Sequence, residues 1–237
     1  MPIRTLKGAI SRRIHRQVFG SQSSQRVRYS QATSQNHRSL PKKTLKLLSF
    51  NIQVGINTQQ YRHYLTKSWQ HILPHTRRND NLDQISGILA DFDLVALQEA
   101  DGGSLRSGYI NQTEYLAHKG DFPFWYHQLN RNLGKLAQHS NGLLSRIEPL
   151  SLEDHKLPGL MPGRGAIAVQ FGHEDEPLTV VMMHLALSRR ARNIQLSYIH
   201  DLVAHHKHVV LMGDMNTHAD QLLNESPLKH SLSLIHI

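Results

Sequence analysis

An apolar run at residues 209–212 ends at Gly213, and two polar side chains follow it, those of Asp214 and Asn216. The run predicts a buried central strand, and residues two apart on extended backbone point to the same face. A carboxylate and a carboxamide that leave one strand end together can hold a water molecule beside a phosphate oxygen. Glycine, aspartate and asparagine are also typical of a plain turn. Taken alone, the pair fits both a functional site and a plain turn.

Polar residues of the same chemical kind follow three other apolar runs, at Asn51, Glu99 and His184. Several polar strand ends in one domain predict that these ends meet at one edge of the fold, where α/β proteins place their sites. Carboxylates, carboxamides and one imidazole suit a hard cation and a phosphate. Because the chain has no cysteine, thiolate metal sites are excluded, and Mg²⁺ or Mn²⁺ is the favoured ion.

The order of the remaining elements predicts an α/β sandwich of two sheets with flanking helices. Strands mix with a few helices and do not alternate strictly with them, which favours that architecture. The predicted strands are residues 44–51, 93–99, 124–129, 140–145, 149–155, 165–171, 178–184 and 209–212, and the predicted helices are 61–72, 80–92, 112–118 and 188–206.

Charge divides the chain into a basic extension, residues 1–43, and a domain, residues 44–237. Residues 1–79 hold 15 of the 27 Lys and Arg and no acid, so residues 80–237 hold 12 basic and 18 acidic residues, a balance of −6. Within residues 1–18, apolar residues recur every three or four positions between arginines, which predicts a basic amphipathic helix for nucleic acid or an anionic membrane surface. A Ser/Gln-rich linker follows. A targeting segment and a plain solvated tail fit the same composition.

Chain length favours one large domain with its own core. No apolar run approaches the roughly 18 residues that a membrane-spanning helix needs. We expect a monomer in the cytoplasm, unless the basic extension acts as a targeting or membrane-surface element.

Five short motifs occur in one order across roughly residues 45–220 and resemble those of the endonuclease/exonuclease/phosphatase superfamily. Each is weak alone, but five in the right order at predicted strand ends are a strong signal. The motifs are Ser49-Phe-Asn-Ile52, Leu97-Gln-Glu99, His139-Ser-Asn-Gly-Leu-Leu-Ser-Arg146, Met183-His-Leu185 and Gly213-Asp-Met-Asn216. The superfamily includes exonuclease III-like and pancreatic-type deoxyribonucleases, neutral sphingomyelinases and inositol polyphosphate 5-phosphatases. The resemblance implies a deoxyribonuclease-I-like fold and metal-dependent phosphoester hydrolysis.

The resemblance also implies a role for each matching residue. Glu99 would be the principal metal ligand, supported by Asn51. Asp214 would orient or deprotonate the attacking water, and Asn216 would bind the phosphate or hold that water. His184 would donate a hydrogen bond to a phosphate oxygen as negative charge develops.

Three further residues are candidates for contact with the substrate. Asn141 resembles a phosphate-contacting position of the family, with a turn residue as the alternative. Arg106 and Arg164 could meet a substrate phosphate, although a solvated surface arginine is the more typical state of each.

The sequence departs from the family pattern at two places. Gln53 stands where nucleases of the exonuclease III type carry an acid. The family closes with an Asp-His strand several tens of residues after the Gly-Asp-x-Asn motif, whereas this chain ends about twenty residues after Asn216, and neither His230 nor His236 fits. We therefore expect that the last strand of the fold is missing.

Two functional hypotheses follow. The first is a Mg²⁺- or Mn²⁺-dependent phosphodiesterase or endonuclease in which water attacks a phosphodiester, with nucleic acid as the leading substrate and a phospholipid or inositol phosphate behind it. The second is a catalytically impaired module that binds phosphate, with the basic extension contacting nucleic acid or an anionic membrane in a salt-dependent way.

Overall fold

The computed structural model describes residues 28–29, 44–53, 78–159 and 163–229 and contains two β-sheets. The strands of the first sheet are β1 (Arg28–Tyr29), β2 (Leu47–Asn51), β3 (Leu94–Asp101), β4 (Phe124–Asn132) and β5 (Gln138–Ser145), in the spatial order β1-β4-β5-β3-β2. The strands of the second sheet are β6 (Ser151–Lys156), β7 (Gly165–His173), β8 (Glu176–His184) and β9 (His208–Asp214), in the order β6-β7-β8-β9.

Helices cover the outer face of each sheet. The helices α1 (Arg78–Leu89) and α2 (Gln112–Lys119) pack on the first sheet, and α3 (Arg189–Val203) and α4 (Ala219–Glu225) pack on the second. A short 3₁₀ helix, Leu105–Ser107, lies between β3 and α2. None of the helices in the described ranges has the length and apolar character needed to cross a membrane.

Alternate residues of the inner strands enter different cores. On β8, Val180 and Met182 face the core between the sheets, whereas Val181 and Met183 face α3 and α4. The strand β3 is buried on both faces in the same way, between β8 on one side and α1 and α2 on the other. Burial on both faces explains why these strands are continuously apolar in the sequence. The predicted two-sheet sandwich with flanking helices is confirmed.

Two pairs of parallel strands bring polar strand ends to one edge of the sandwich. Within the first sheet β2 runs parallel to β3, so Asn51 lies opposite Gln98. Within the second sheet β8 runs parallel to β9, so His184 lies opposite Asp214. The carboxyl ends of parallel strands point the same way, which gathers the polar residues that follow them.

Some predicted elements differ from the structure or lie outside its described part. The prediction of a fully buried β9 is wrong, because Val209, Val210 and Leu211 are partly exposed. Among the described residues β9 pairs only with β8. The helix α4 and the short strand β1 were not predicted. The predicted helices within residues 1–18 and 61–72 lie outside the described residues, as do His230 and His236.

Candidate active site

Gly213 lets the end of β9 come close to β8. Its φ is 135°, and a Cβ at this position would lie 1.9 Å from the carbonyl oxygen of Met183. Only glycine tolerates both the backbone conformation and the contact. The close approach places Asp214 directly beside the end of β8, where its backbone carbonyl accepts a hydrogen bond from Leu185 N at 2.9 Å.

The Asp214 carboxylate joins the two sheets and remains accessible. Its Oδ2 accepts a hydrogen bond from Asn51 Nδ2 on β2 at 3.1 Å, and its Oδ1 accepts one from the backbone N–H of Asn216 at 2.9 Å. The side chain is 28% exposed. A carboxylate oxygen has two lone pairs, so Oδ2 can accept a further hydrogen bond from a water molecule.

Asn216 does not continue the strand. The strand β9 ends at Asp214, and Asn216 has a left-handed φ of 50°. The prediction that Asp214 and Asn216 leave one strand on the same face is therefore wrong. The hydrogen bond from Asn216 N to Asp214 Oδ1 is instead typical of the turn that the sequence left open. The Asn216 side chain donates to Leu185 O at 2.8 Å, which ties the turn to the end of β8.

His184 faces the same carboxylate as a neutral imidazole. Its Nε2 lies 3.6 Å from Asp214 Oδ2, beyond hydrogen-bonding distance. Burial, followed by the positive charge of Arg164, lowers the pKa of His184 to about 4, although Asp214 opposes the shift. At neutral pH the ring is therefore uncharged and carries one N–H donor.

Glu99 and Asn51 supply the oxygen atoms that suit a hard cation. Glu99 has a left-handed φ of 55°, at a register shift between β3 and β5. Its half-buried carboxylate makes no hydrogen bond or ion pair with the residues that the structure describes. Asn51 Oδ1 accepts a hydrogen bond from Gln53 N at 3.1 Å and has a second lone pair.

This donor set fits magnesium better than an ion that needs a full protein cage. Among the described residues, no group of three or more His, Asp and Glu side chains could hold a metal ion. Mg²⁺ keeps several water ligands and is bound through one or two carboxylates together with substrate phosphate. Glu99 would supply one carboxylate of this kind and Asn51 an amide oxygen, and Mn²⁺ accepts the same oxygen donors.

Asn141 lies inside the protein rather than at its surface. The side chain is fully buried, and its Nδ2 donates to Gln128 Oε1 at 3.0 Å and to the carbonyl oxygen of Gly165 at 3.3 Å. Gly165 begins β7, so Asn141 links the two sheets. The alternative of a turn residue is wrong, because Asn141 lies within β5. Contact between Asn141 and a phosphate stays a prediction.

Arg106 is buried, and the prediction of a solvated surface arginine is wrong for it. It is only 4% exposed, and its Nε pairs with Asp101 Oδ2. Its Nη1 lies 3.3 Å from His139 Nε2. Burial alone would raise the pKa of Asp101, but Arg106 together with hydrogen bonds from Ser104 and Ser107 lowers it to about 2.

Arg164 and His139 complete the surroundings of the site. Arg164 is half-buried, directly before β7, and its charge acts on both His184 and His139. Burial first, and then Arg106, lowers the pKa of His139 to about 4. Sequence reasoning did not single out His139 or Asp101, although His139 opens a family motif and Asp101 begins the polar stretch that contains Arg106.

Comparison with known proteins agrees with this geometry. A sequence model described as "Endonuclease/Exonuclease/phosphatase family" matches residues 48–234. The match contains all eight candidate residues, which are Asn51, Glu99, Arg106, Asn141, Arg164, His184, Asp214 and Asn216. No curated protein matches the sequence significantly.

Solved structures share the fold at low sequence identity. D. rerio TDP2 in complex with a single-strand DNA product is 17% identical, with a TM-score of 0.54 over 77% of this chain and 65% of that one. A family protein from Leptotrichia buccalis C-1013-b is 14% identical, with a TM-score of 0.53 over 74% and 69%. A beta hairpin deletion mutant of beta toxin from Staphylococcus aureus is 15% identical, with a TM-score of 0.53 over 80% and 71%.

Proposed function

The chain belongs to the endonuclease/exonuclease/phosphatase family, and on that premise we propose that it hydrolyses a phosphodiester with water and a divalent metal ion. One observation carries the proposal. An accessible carboxylate, Asp214, lies between a buried neutral imidazole, His184, and the amide of Asn51, beside the strand end that bears Glu99. This combination of groups suits the activation of a water molecule next to a phosphate.

Each side chain has a distinct task in the proposed reaction. Asp214 Oδ2 orients the attacking water and accepts its proton, while Asn51 Nδ2 and Asn216 N hold the carboxylate in place. Neutral His184 donates a hydrogen bond to a phosphate oxygen, which gains negative charge in the transition state.

Glu99 and Asn51 Oδ1 would hold the metal ion. When bound, the cation would neutralise charge on the phosphate oxygens and help to orient the substrate. Both ligands lie at the carboxyl ends of the parallel strands β2 and β3, so the sheet fixes their relative position. Strand-mounted ligands are held more precisely than ligands on loops.

Nucleic acid is the substrate class that we favour. The first 79 residues hold 15 of the 27 Lys and Arg and no acid, which suits a polyphosphate backbone. The similar TDP2 structure contains a single-strand DNA product, although that describes TDP2 alone. A phospholipid or inositol phosphate headgroup offers the same phosphoester and is the alternative.

Cleavage of two substrates would test the proposal. Supercoiled plasmid and bis(p-nitrophenyl) phosphate are incubated with the protein and Mg²⁺ or Mn²⁺, with and without EDTA. A Glu99→Ala variant is compared with Glu174→Ala, which removes an exposed carboxylate in the turn at the opposite end of β8 from His184. We expect metal-dependent cleavage that is lost in Glu99→Ala and kept in Glu174→Ala. Cleavage that survives in Glu99→Ala, or that proceeds in EDTA, would contradict the proposal.

The basic extension supports a second candidate function, which is binding of nucleic acid or an anionic membrane without turnover. It predicts steeply salt-dependent binding that weakens when Arg12, Arg13 and Arg16 are changed to glutamine. Equal affinity of this triple variant and the wild type for DNA and for anionic vesicles would exclude the extension as the binding element.

A further inference from the structure

Three neighbouring strands place Arg131, His139 and Asp101 side by side. Arg131 on β4 lies opposite His139 on β5, and His139 lies opposite Asp101 on β3. Arg106 Nη1 points at His139 Nε2 from 3.3 Å. A guanidinium only donates hydrogen bonds, so Nε2 is the acceptor and the proton of the neutral ring is on Nδ1. His139 therefore presents an N–H donor.

Two glycines bring the backbone around Arg164 against β4, the strand that carries Arg131. A Cβ at Gly163 would lie 3.2 Å from the Cβ of Arg131, and one at Gly165 would lie 2.3 Å from Gln128 Oε1. The backbone on both sides of Arg164 thus packs closely on β4. The carbonyl oxygen of Arg164 also accepts a hydrogen bond from Leu157 N at 3.0 Å. These contacts fix the start of the Arg164 side chain next to Arg131.

The positive charges of Arg164 and Arg131 act on different sets of histidines. Arg164 lowers the pKa of both His184 and His139, whereas Arg131 acts on His139. The backbone agrees with this division: Arg164 lies two residues before Ala166, which pairs with Met183 next to His184. On its other side, Gly163 packs on Arg131, which pairs with His139. Arg106 adds little net charge, because Asp101 pairs with it. Arg131 and Arg164 bring two positive charges to His139, at one side of the Asp214 site.

We propose that Arg131, Arg164 and His139 form a subsite for a second anionic group of the substrate, a phosphate adjacent to the phosphoester that is cleaved. The proposal rests on the proposed function, since it takes Asp214 and His184 as the position of the cleaved ester. Arginine is suited to this role because its planar donors match phosphate oxygens. Arg131 is exposed and Arg164 half-exposed, so a ligand can reach both.

Cleavage of two dinucleotides tests the subsite. TpT has one phosphodiester, and pTpT adds a 5′-phosphate. We expect the wild type to cleave pTpT with a kcat/KM about tenfold higher than that for TpT, the size expected of a charged hydrogen bond. An Arg131→Gln variant should lose most of this preference. A matched Lys135→Gln variant removes one exposed charge from the same hairpin and should keep it. No preference in the wild type, or equal preference in Arg131→Gln, would overturn the proposal.

Binding of inorganic pyrophosphate separates this proposal from the proposed function. Its affinity is measured by titration calorimetry without metal, so the result does not depend on turnover. We expect Arg131→Gln to bind pyrophosphate about tenfold more weakly than the wild type and Lys135→Gln to bind it equally well. If neither dinucleotide is cleaved, the proposed function fails while this measurement still decides the subsite. Equal affinity in the wild type and Arg131→Gln would overturn the subsite.

Discussion

Two aspartates lie opposite histidines in neighbouring strands, yet their surroundings differ completely. Asp101 lies opposite His139 and is fully buried. Its carboxylate accepts hydrogen bonds from Gly103, Ser104, Ser107 and the Arg106 guanidinium. Asp214 lies opposite His184, is 28% exposed, and accepts hydrogen bonds from Asn51 and Asn216.

The two sets of surroundings suit different roles, a structural one for the Asp101 carboxylate and a catalytic one for the Asp214 carboxylate. The donors around Asp101 use most of its lone pairs and keep its pKa at about 2, so it has little capacity left for a water molecule. Asp214 has no arginine or lysine partner in the described ranges and reaches solvent. We infer that Asp101 stabilises the loop after β3, whereas Asp214 is placed to handle a proton.

Replacement of Asp214 by asparagine should have the largest effect on catalysis. The amide keeps the size of the side chain but cannot accept a proton from water. We expect kcat/KM for bis(p-nitrophenyl) phosphate to fall about a thousandfold, as for loss of a general base. The free energy of unfolding in urea should change by less than about 1 kcal/mol, because the side chain is partly solvated. A variant with wild-type kcat/KM would contradict the assignment.

Replacement of Asp101 by asparagine should instead act on stability. It would leave the Arg106 guanidinium buried without its charge partner, which costs about 3 to 5 kcal/mol of unfolding free energy. Urea denaturation measures this loss. Asp175→Asn, which removes a carboxylate that is 92% exposed, is the matched control and should be neutral. Equal unfolding midpoints for both variants would remove the distinction between the two aspartates.

Protonation of His184 should lower the free energy of unfolding as the pH falls. The pKa of this ring is about 4 in the folded protein and ordinarily 6.5, so the unfolded chain binds a proton first as pH falls. The neutral ring therefore makes its full contribution to the free energy of unfolding above pH 6.5. Between pH 6.5 and pH 4 that free energy should fall by about 2 to 3 kcal/mol. Urea unfolding across this range should show a shallower loss for His184→Asn. An identical pH dependence in both proteins would contradict the neutral, buried imidazole.

Removal of a single hydroxyl group that donates to Asp101 should have the smallest effect on stability. Ser107 Oγ donates to Asp101 Oδ1 at 2.8 Å, and its loss in Ser107→Ala should cost about 1 kcal/mol because the other donors remain. Ser151→Ala removes an exposed hydroxyl group with one hydrogen bond and serves as the control in thermal unfolding. If Ser107→Ala lost less stability than Ser151→Ala, the hydrogen bond from Ser107 to Asp101 would not stabilise the fold.

The sandwich could be predicted from the sequence because its inner strands are buried on both faces. Runs such as the one that forms β8 stay apolar over several residues and end on a polar side chain, so both the strand and its functional end are visible. The same logic located Asn51, His184 and Asp214, which the structure brings together. It could not reveal that β9 pairs only with β8 in the described residues, since an apolar run looks alike at the edge and in the centre of a sheet.

The side chains that sequence reasoning misplaced depend on contacts between distant segments. Arg106 is buried because the turn after β3 directs it to Asp101, and nothing in a single arginine shows that partner. Asn141 points to the second sheet, where it meets Gly165. Asn216 leaves the strand because β9 ends at Asp214 and the backbone of Asn216 itself has a left-handed φ of 50°. Motif order located Asn141 and Asn216, but only three-dimensional packing assigned the direction of their side chains.

Titration of Mn²⁺ into the metal-free protein tests the central claim most directly, because it does not require the substrate to be known. The wild type is compared by calorimetry with Glu99→Gln, and Glu174→Gln serves as the exposed control. We predict that Glu174→Gln binds Mn²⁺ like the wild type and that Glu99→Gln binds it at least about tenfold more weakly, since it loses the charged ligand. Equal affinity of Glu99→Gln and the wild type would contradict a metal-dependent site at this edge of the sandwich.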